Sequence, residues 1–409
     1  MASLPKHALR ALALAGLLCV LALAQAAAAQ GLAGKAVFLD QALDQAMDYL
    51  NMPGAVVLVR APDGGQWRAA RGVARIERYN PPLPGPGPDE PPWSGSPMRQ
   101  DMHFRIASAT KTFTATLVLM LAQEKRLSLN DTLFQWLGEI TPASRKITIR
   151  NLLNMTSGLS DYTAYKPFLQ DTLRHPLRRY TPRELISLAN LVGRGRLRFT
   201  PGTDWRYCNT NYILLGLIIE KAAAQSFRQA LAQRILRPLG LNHTSAPAPD
   251  DPTLPDPHAH GYFFPDDSPQ HWLDLTRLSP SGPWSAGEMI SSADDLLVWL
   301  RALVRGSLLN PALRREMFTW TSTRGHHQYG AYGLGVINYR GAVGHTGSLP
   351  GFRSAILHFQ GYDFVILLNA YPTVAAHQGH YGLYIFDRLR EALGLAGQES
   401  RPFPPPEIP

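Results

Sequence analysis

The sequence predicts an α+β fold. An antiparallel β-sheet flanked by helices is expected to be built from both chain ends, around an inserted all-helical domain. Strand-like segments separated by glycine-containing turns lie at residues 54–73 and again within 333–369. Between them, from Leu127 to Leu309, apolar residues recur mainly with helical spacing. Strands at the two ends of a chain need partners for their backbone hydrogen bonds, which favours one shared sheet.

The chain begins its ordered part with a helix and a hairpin. Apolar residues at helical spacing predict a helix from Ala36 to Leu50. Strand-like residues at 54–60 and 66–73 flank a glycine-rich turn, a pattern typical of a β-hairpin. The proline-rich stretch 80–97 is expected to be a long loop, either a lid over a cleft or a passive surface loop.

The middle of the chain is predicted to be helical, and the end of the chain to return to strands before a last helix. Helices are predicted at 182–192 and 212–236, and Ser292 with Asp295 forms a capping box for a helix at 296–303. The predicted elements at the end of the chain are strands at 333–339, 352–359 and 364–369 and a closing helix at 377–393.

The first 29 residues have a different character. Lys6 and Arg10 precede an apolar run from Ala11 to Ala24, and small residues continue to Ala29. This pattern predicts a signal peptide of residues 1–29, and hence a periplasmic or secreted protein with no stable membrane span after cleavage. Retention as an uncleaved anchor is the alternative, although the apolar run is short for crossing a bilayer.

The rest of the chain is expected to form one enzyme domain followed by a tail. The domain covers residues 30–395, with an α/β part at about 30–110 and 310–395 and a helical part at about 111–309. The proline-rich segment 396–409 is expected to be disordered.

The composition is that of a soluble globular enzyme, with 409 residues, 45% hydrophobic and 17% charged. The formal net charge of +9 becomes +7 without the signal, which carries two basic residues and no acidic one. Nucleic acid is not an expected partner, because the chain has an export signal and no recognition motif. Only Cys208 remains after the signal, so no intrachain disulfide is expected.

Ser108 and Lys111 form the first candidate catalytic pair. Apolar residues at helical spacing follow Ser108, which places it at a helix start with Lys111 one turn later on the same face. A serine nucleophile needs an adjacent base, and a buried lysine can lose its charge and act as one. The alternative is that Ser108 only caps the helix and Lys111 faces solvent.

Two later stretches supply partners for this pair. Tyr207 and Asn209 precede the helix predicted at residue 212, so a phenol and a carboxamide can point into one cleft. His345, Thr346 and Gly347 lie between two predicted strands.

Three motifs in this order resemble those of the serine penicillin-recognising superfamily: Ser108-x-x-Lys111, Tyr207-x-Asn209 and His345-Thr346-Gly347. That superfamily contains D-alanyl-D-alanine carboxypeptidases, class C β-lactamases, esterases and D-amino-acid peptidases. The resemblance covers roughly residues 36–395 and implies a β-lactamase/transpeptidase-like fold.

The resemblance also implies an acyl-enzyme mechanism. Ser108 attacks a carbonyl, and Lys111 and Tyr207 share its proton and later deliver one to the leaving group. Which of those two is the acylation base stays open. The backbone N–H groups of Ser108 and Ser348 are the implied oxyanion hole.

The remaining motif residues are implied to bind substrate. Asn209 is expected to hold Lys111 and the substrate amide, while His345, Thr346 and Gly347 border a strand edge with which the substrate pairs. The implied substrate is a small peptide or acyl ester, such as a peptidoglycan stem peptide or a β-lactam. No metal or organic cofactor is implied, and the oligomeric state is not predicted.

Two positions depart from the pattern of class C β-lactamases and other relatives. His345 replaces the usual lysine, which is more similar to the carboxypeptidase and esterase branches. If His345 binds a substrate carboxylate, affinity should fall as pH rises from about 6 to 8, whereas a flat profile would assign that task elsewhere, with Arg353 as a candidate. Cys208 replaces a common serine and is expected to be a small buried residue.

The first functional hypothesis is an exported serine hydrolase similar to D-alanyl-D-alanine carboxypeptidases. An esterase acting on small acyl esters and a class C-like β-lactamase are alternatives. A penicillin-binding sensor that acylates without turning over is a further one, which a turnover assay would distinguish.

Overall fold

The structure is a computed structural model that describes residues 31–80, 92–265, 270–306, 308–371 and 379–395. The predicted signal peptide, most of the proline-rich loop at 80–97 and the predicted tail lie outside the described residues. Within the described part of the chain, no helix combines the length and apolar character needed to cross a bilayer.

The described residues form twelve α-helices. The α-helices are α1 (Leu32–Tyr49), α2 (Thr110–Gln123), α3 (Leu133–Leu137), α4 (Ile149–Leu153), α5 (Lys166–Arg174), α6 (Pro182–Gly193), α7 (Asn209–Ala223), α8 (Phe227–Leu231), α9 (Arg237–Leu239), α10 (Ala293–Arg305), α11 (Pro311–Met317) and α12 (Tyr381–Ala392). Short 3₁₀ turns lie at Ala107–Ala109, Tyr162–Ala164 and Trp284–Ala286, and a π-helical turn at Ala232–Leu236.

Most of the strands lie toward the two ends of the sequence, and three short ones lie between them. They are β1 (Gly54–Arg60), β2 (Gln66–Tyr79), β3 (Trp93–Pro97), β4 (Phe104–Arg105), β5 (Tyr262–Phe263), β6 (Leu273–Asp274), β7 (Ile290–Ser291), β8 (Thr321–Ser322), β9 (Ala331–Tyr332), β10 (Ile337–Tyr339), β11 (Ala342–Leu349), β12 (Phe352–Phe359) and β13 (Tyr362–Leu368).

Strands from both chain ends form one antiparallel sheet. Its order is β3-β2-β1-β13-β12-β11-β10-β9-β8, and the two ends of the sequence meet where β1 pairs with β13. Nearly every residue of β1 and β13 is buried, because α1 and α12 pack on the sheet together and α10 packs against the same central strands. The predicted α+β fold class is confirmed, whereas the division into an α/β part and a helical part stays a prediction.

Two buried helices bring the N-terminal and middle motifs together. Helix α2 is almost entirely buried, and Phe113 stacks on Trp299 of α10 with ring centroids 3.8 Å apart. Helix α7 is equally apolar and packs directly against α2. Because both helices begin at the same cleft, the residues at their N-termini face each other.

The structure refines several predicted elements. The hairpin prediction is confirmed, since Arg60 pairs with Gln66 across the turn. Ser292 caps α10 by accepting from the Asp295 N–H at 3.3 Å, but the Asp295 carboxylate accepts from the His243 N–H and the Thr244 hydroxyl instead of completing a box. The His-Thr-Gly motif lies inside β11 and not between strands; its flanking glycines had obscured the strand pattern.

Candidate active site

Ser108 lies in the 3₁₀ turn that leads into α2, beside the edge of β11. Strand β10 pairs with β11 only as far as Gly344, so the edge from His345 onwards is available to this turn. A Cβ atom on Gly347 would lie 2.2 Å from the Ile106 carbonyl oxygen, so only glycine permits this approach. Ala107 has a left-handed φ of 48°, a strained conformation immediately before the serine.

Lys111 is the centre of a three-way hydrogen-bond arrangement. Its Nζ lies 3.0 Å from Ser108 Oγ, 2.8 Å from Asn209 Oδ1 and 2.7 Å from the Ala286 carbonyl oxygen. Burial lowers the pKa of Lys111 to about 7, although the Asp161 carboxylate opposes this effect. The free amine is therefore well populated near neutral pH, where its lone pair can accept the Ser108 proton.

Asp161 sets the orientation of Asn209. Its Oδ2 accepts from the Asn209 backbone N–H at 2.8 Å and from Asn209 Nδ2 at 2.9 Å. Because the amide NH₂ is directed at Asp161, the amide oxygen is directed at Lys111. Thr163 holds the other carboxylate oxygen through its backbone N–H and hydroxyl, each at 2.9 Å.

Tyr207 lies across Lys111 from Asn209. Its ring centroid is 5.1 Å from Lys111 Nζ, and the ring is partly accessible from the cleft. Burial raises the pKa of Tyr207 well above the usual phenol value, while the nearby Ser108 hydroxyl acts in the opposite direction. The phenol is therefore protonated at neutral pH and can donate its proton.

His345 is placed differently from the expectation that it borders the substrate. Its side chain is fully buried, with Nδ1 2.6 Å from the Thr346 carbonyl oxygen and Nε2 3.0 Å from the Tyr332 hydroxyl. The carbonyl can only accept, so Nδ1 carries the proton and Nε2 accepts from Tyr332. Burial, and then the nearby Lys111 charge, lower the pKa of His345 to about 3, so the ring is neutral at physiological pH.

Thr346 points to the opposite side of β11, as alternation along a strand requires. Its hydroxyl lies 2.6 Å from the Tyr329 hydroxyl and borders the cleft. Burial raises the pKa of Tyr329 to about 12. Of the three motif residues on β11, Thr346 therefore borders the cleft, Gly347 leaves room for the turn that carries Ser108, and His345 is buried.

Two cavities meet at Ser108 and Ser348. The apolar pocket, of about 230 Å³, includes Asn209 and is lined mainly by carbon atoms from Phe168, Leu278, Pro283, Leu349 and Pro350. The polar pocket, of about 410 Å³, is lined by Tyr207, His327, Gln328, Tyr329, Thr346, Arg353, Tyr371, Gly379 and His380. The serine can thus contact one group of a substrate in each pocket.

Arg353 is the cation of the polar pocket. It stands opposite Ser348 in the β11–β12 register, and its guanidinium carbon lies 4.4 Å and 3.8 Å from the ring centroids of Tyr371 and Tyr381. The side chain is 7% exposed, and Nε and Nη1 have no hydrogen-bond partner among the described residues. Within that part of the chain, no carboxylate forms an ion pair with it.

Sequence reasoning missed Asp161 and Tyr329. Asp161 is 48 residues from Asn209, so no local spacing connects the two. The expectation for Cys208 fits its placement: the thiol is buried, and burial raises its pKa to about 12. A thiolate is therefore scarce beside the site near neutral pH.

The fold and the grouping of these motifs define a class, the β-lactamase/penicillin-binding protein superfamily of hydrolytic enzymes. The family model described as Beta-lactamase matches residues 39–384, and the chain belongs to this family.

Individual relatives agree with this assignment. Protein flp of Staphylococcus aureus (strain N315) is 30% identical over 283 residues, which are 65% of this chain and 52% of flp. Penicillin-binding protein 4* of Bacillus subtilis (strain 168) is 26% identical over 275 residues, 64% of this chain and 59% of that protein. The chain thus spans little more than half the length of these curated relatives.

Among solved structures, a D-stereospecific amidohydrolase from Streptomyces sp. is similar over almost its whole length. It is 30% identical with a TM-score of 0.73, and the match covers 86% of this chain and 97% of that one.

Proposed function

We propose that this protein is an exported serine hydrolase, similar to D-alanyl-D-alanine carboxypeptidases, that cleaves peptides ending in a free carboxylate. The observation that carries the proposal is the buried guanidinium of Arg353 in the polar pocket beside Ser108, which has no carboxylate partner and two nitrogens without a hydrogen-bond partner among the described residues. Likeness to a D-stereospecific amidohydrolase and to a penicillin-binding protein supports a D-configured amide substrate.

Acylation begins at Ser108. The neutral Lys111 amine, 3.0 Å away, accepts the hydroxyl proton as Oγ attacks the scissile carbonyl. The negative charge that develops on the carbonyl oxygen is stabilised by the backbone N–H groups of Ser108 and Ser348. Tyr207 donates its proton to the departing amine and regains one from Lys111. Water then hydrolyses the acyl-enzyme by the reverse proton transfers.

In this mechanism the two substrate halves occupy the two pockets. Tyr207 must reach the leaving nitrogen, so the leaving group occupies the polar pocket that Tyr207 lines. Asn209 lines the apolar pocket, which therefore receives the acyl half. Residues directly opposite in antiparallel strands have Cβ atoms about 5 Å apart. Arg353 is opposite Ser348, so a leaving group the size of one amino acid can extend from Ser348 to Arg353.

A carboxylate satisfies Arg353 better than a neutral leaving group does. Burying a charge without a partner is costly, and a guanidinium matches a carboxylate through two parallel hydrogen bonds. Thr346, on the neighbouring strand, adds a hydroxyl to the same pocket. The terminal carboxylate of a released D-amino acid fits this combination of charge and hydrogen-bond donors.

The test compares diacetyl-L-lysyl-D-alanyl-D-alanine with its C-terminal carboxamide. Wild type should release D-alanine and Ser108→Ala should not. Arg353→Gln should lose about 30- to 700-fold in kcat/KM on the acid, because it removes one member of a buried charge pair, and far less on the carboxamide. The control is Arg305→Gln, at an exposed position on α10. Equal losses on both substrates, or no release of D-alanine by wild type from either this peptide or N-acetyl-D-Phe-D-Ala, would overturn the proposal.

An esterase is the second candidate, because the apolar pocket can also receive a simple acyl chain. Turnover of p-nitrophenyl acetate that depends on Ser108, without release of D-alanine from the acid or of D-alaninamide from the carboxamide, would select this function. Export through the predicted signal peptide is tested by the N-terminal residue of the mature protein, expected close to position 30.

A further inference from the structure

The apolar pocket carries an inference about which acyl groups this protein accepts. We infer that it selects a bulky apolar side chain, of aromatic size, on the residue that becomes the acyl group, and disfavours the methyl group of alanine. Its assignment to the acyl half of the substrate rests on the proposed function.

Three aromatic rings build one wall of the pocket. Phe168 of α5 meets Tyr162 edge-to-face, with centroids 5.2 Å apart at 89°, and contacts Tyr180 at the same distance. The Tyr162 hydroxyl donates to the Gly282 carbonyl oxygen at 2.8 Å, so its polar end is already paired. Rings held in this way present a fixed apolar surface to an incoming side chain.

The charged groups at the pocket mouth are paired with each other. Asp171 accepts from His175 Nδ1 at 3.1 Å and from Arg178 Nη1 at 2.7 Å, and it also accepts from the Tyr180 hydroxyl. A polar side chain entering here would give up its water without gaining a free charged partner. An apolar side chain has no such cost.

The cavity size points to a large group. An apolar cavity of about 150 Å³ in another protein is large enough to bind benzene, and the pocket beside Ser108 measures about 230 Å³. A methyl group would leave most of this space unfilled and lose the contacts of a well-packed side chain. Since even one methylene changes selectivity about 10- to 200-fold in a hydrophobic pocket, a D-phenylalanyl donor should exceed a D-alanyl donor by at least about 100-fold in kcat/KM.

Gly282 offers a way to fill the pocket from its wall. A Cβ atom there would lie 3.6 Å from Phe168 Cζ and 4.0 Å from Tyr180 Cδ2, which are ordinary contacts. Gly282→Leu therefore extends an isobutyl group toward the aromatic wall. Gly282→Ala is the matched control, because it changes the backbone in the same way but fills little space.

The experiment measures one ratio, kcat/KM for N-acetyl-D-Phe-D-Ala over N-acetyl-D-Ala-D-Ala, in wild type and both variants. We expect this ratio to be at least about 100 in wild type, at least about 10-fold lower in Gly282→Leu, and lowered less in Gly282→Ala. A wild-type ratio near or below 1, or an unchanged ratio in a folded Gly282→Leu protein, would overturn it.

A parallel ester pair separates this inference from the proposed function. If neither peptide is cleaved but p-nitrophenyl 3-phenylpropanoate exceeds the acetate by the same margin, the pocket inference stands and the carboxypeptidase proposal fails. If both peptides are cleaved without preference, the carboxypeptidase proposal stands and the pocket inference fails. Should Gly282→Leu not fold, wild-type inhibition by 2-phenylethylboronic acid must exceed that by methylboronic acid by at least about 10-fold, or the inference is wrong.

Discussion

Replacing Asp161 with asparagine tests how the protein sets the ionisation of Lys111. The Asn209 carboxamide separates the two charged groups, with hydrogen bonds of 2.8 Å to Lys111 and 2.9 Å to Asp161. Their charges are therefore about 7 Å apart, and at an effective dielectric constant of about 20 they attract each other by about 2 kcal/mol. Asparagine retains nearly the same shape but removes this attraction.

The sign of the effect follows from the charge of Lys111. Asp161 stabilises the ammonium form and so raises the Lys111 pKa, which burial otherwise lowers to about 7. Without the carboxylate, the lysine should lose its proton at a pH lower by about 1.5 units. If the free amine is the acylation base, kcat/KM rises with pH through this ionisation, and the midpoint of the rise should move from about 7 to between about 5 and 6.

The assay is the pH dependence of kcat/KM from pH 4.5 to 9 for wild type and Asp161→Asn. The control is Asp294→Asn, which removes a carboxylate that pairs with Arg68 outside the active site. An unmoved midpoint in Asp161→Asn, or an equal shift in the control, would refute the electrostatic reasoning. A wild-type kcat/KM that falls through pH 7 would show that Lys111 acts as an ammonium ion and would leave Tyr207 as the base.

Three further predictions follow from the same structure. Tyr207→Phe should lower kcat/KM on a peptide by about 10²- to 10⁴-fold but spare p-nitrophenyl acetate, whose leaving group needs no proton; equal losses on both would contradict a proton-donor role. Burial keeps His345 neutral, with a pKa of about 3, so Lys111 is the site residue expected to titrate between pH 6 and 8. The Ki of a competitive carboxylate such as N-acetyl-D-alanine should therefore change with pH to the same extent in wild type and in His345→Gln, and a pH dependence that disappears in the variant would show that His345 titrates. Burial raises the pKa of Glu288 well above its usual 4.5, so wild type should lose stability as pH rises above 4.5, where Glu288 ionises only in the unfolded chain. In urea denaturation, the free energy of unfolding of Glu288→Gln should equal that of wild type near pH 4 and be larger at pH 8. A difference that stays constant between these pH values would contradict the prediction.

Short sequence separations explain which parts of the site could be predicted. Ser108 and Lys111 are three residues apart at a helix start, so local geometry alone brings the amine to 3.0 Å from the hydroxyl. The contact between Lys111 and Asn209 spans 98 residues and was expected only from the resemblance to a known superfamily.

Longer separations explain what was missed. Asp161 has no motif of its own, and its effect on Lys111 depends on the tertiary contact that holds it against Asn209 at the start of α7. The environment of His345 depends on which face of β11 is buried, and that register is set by pairing with β12.

The fold class and the residue types of the candidate site could be inferred from the sequence. Apolar periodicity and glycine-containing turns specify strands at both ends and buried helices between them, and these patterns are local. The ionisation of Lys111 and His345 follows from tertiary structure alone. The same is true of Arg353, which lacks a carboxylate partner among the described residues, and of the apolar pocket beside Ser108. These properties depend on burial and on partners distant in sequence, because the free energy of a charge is set by the groups packed around it.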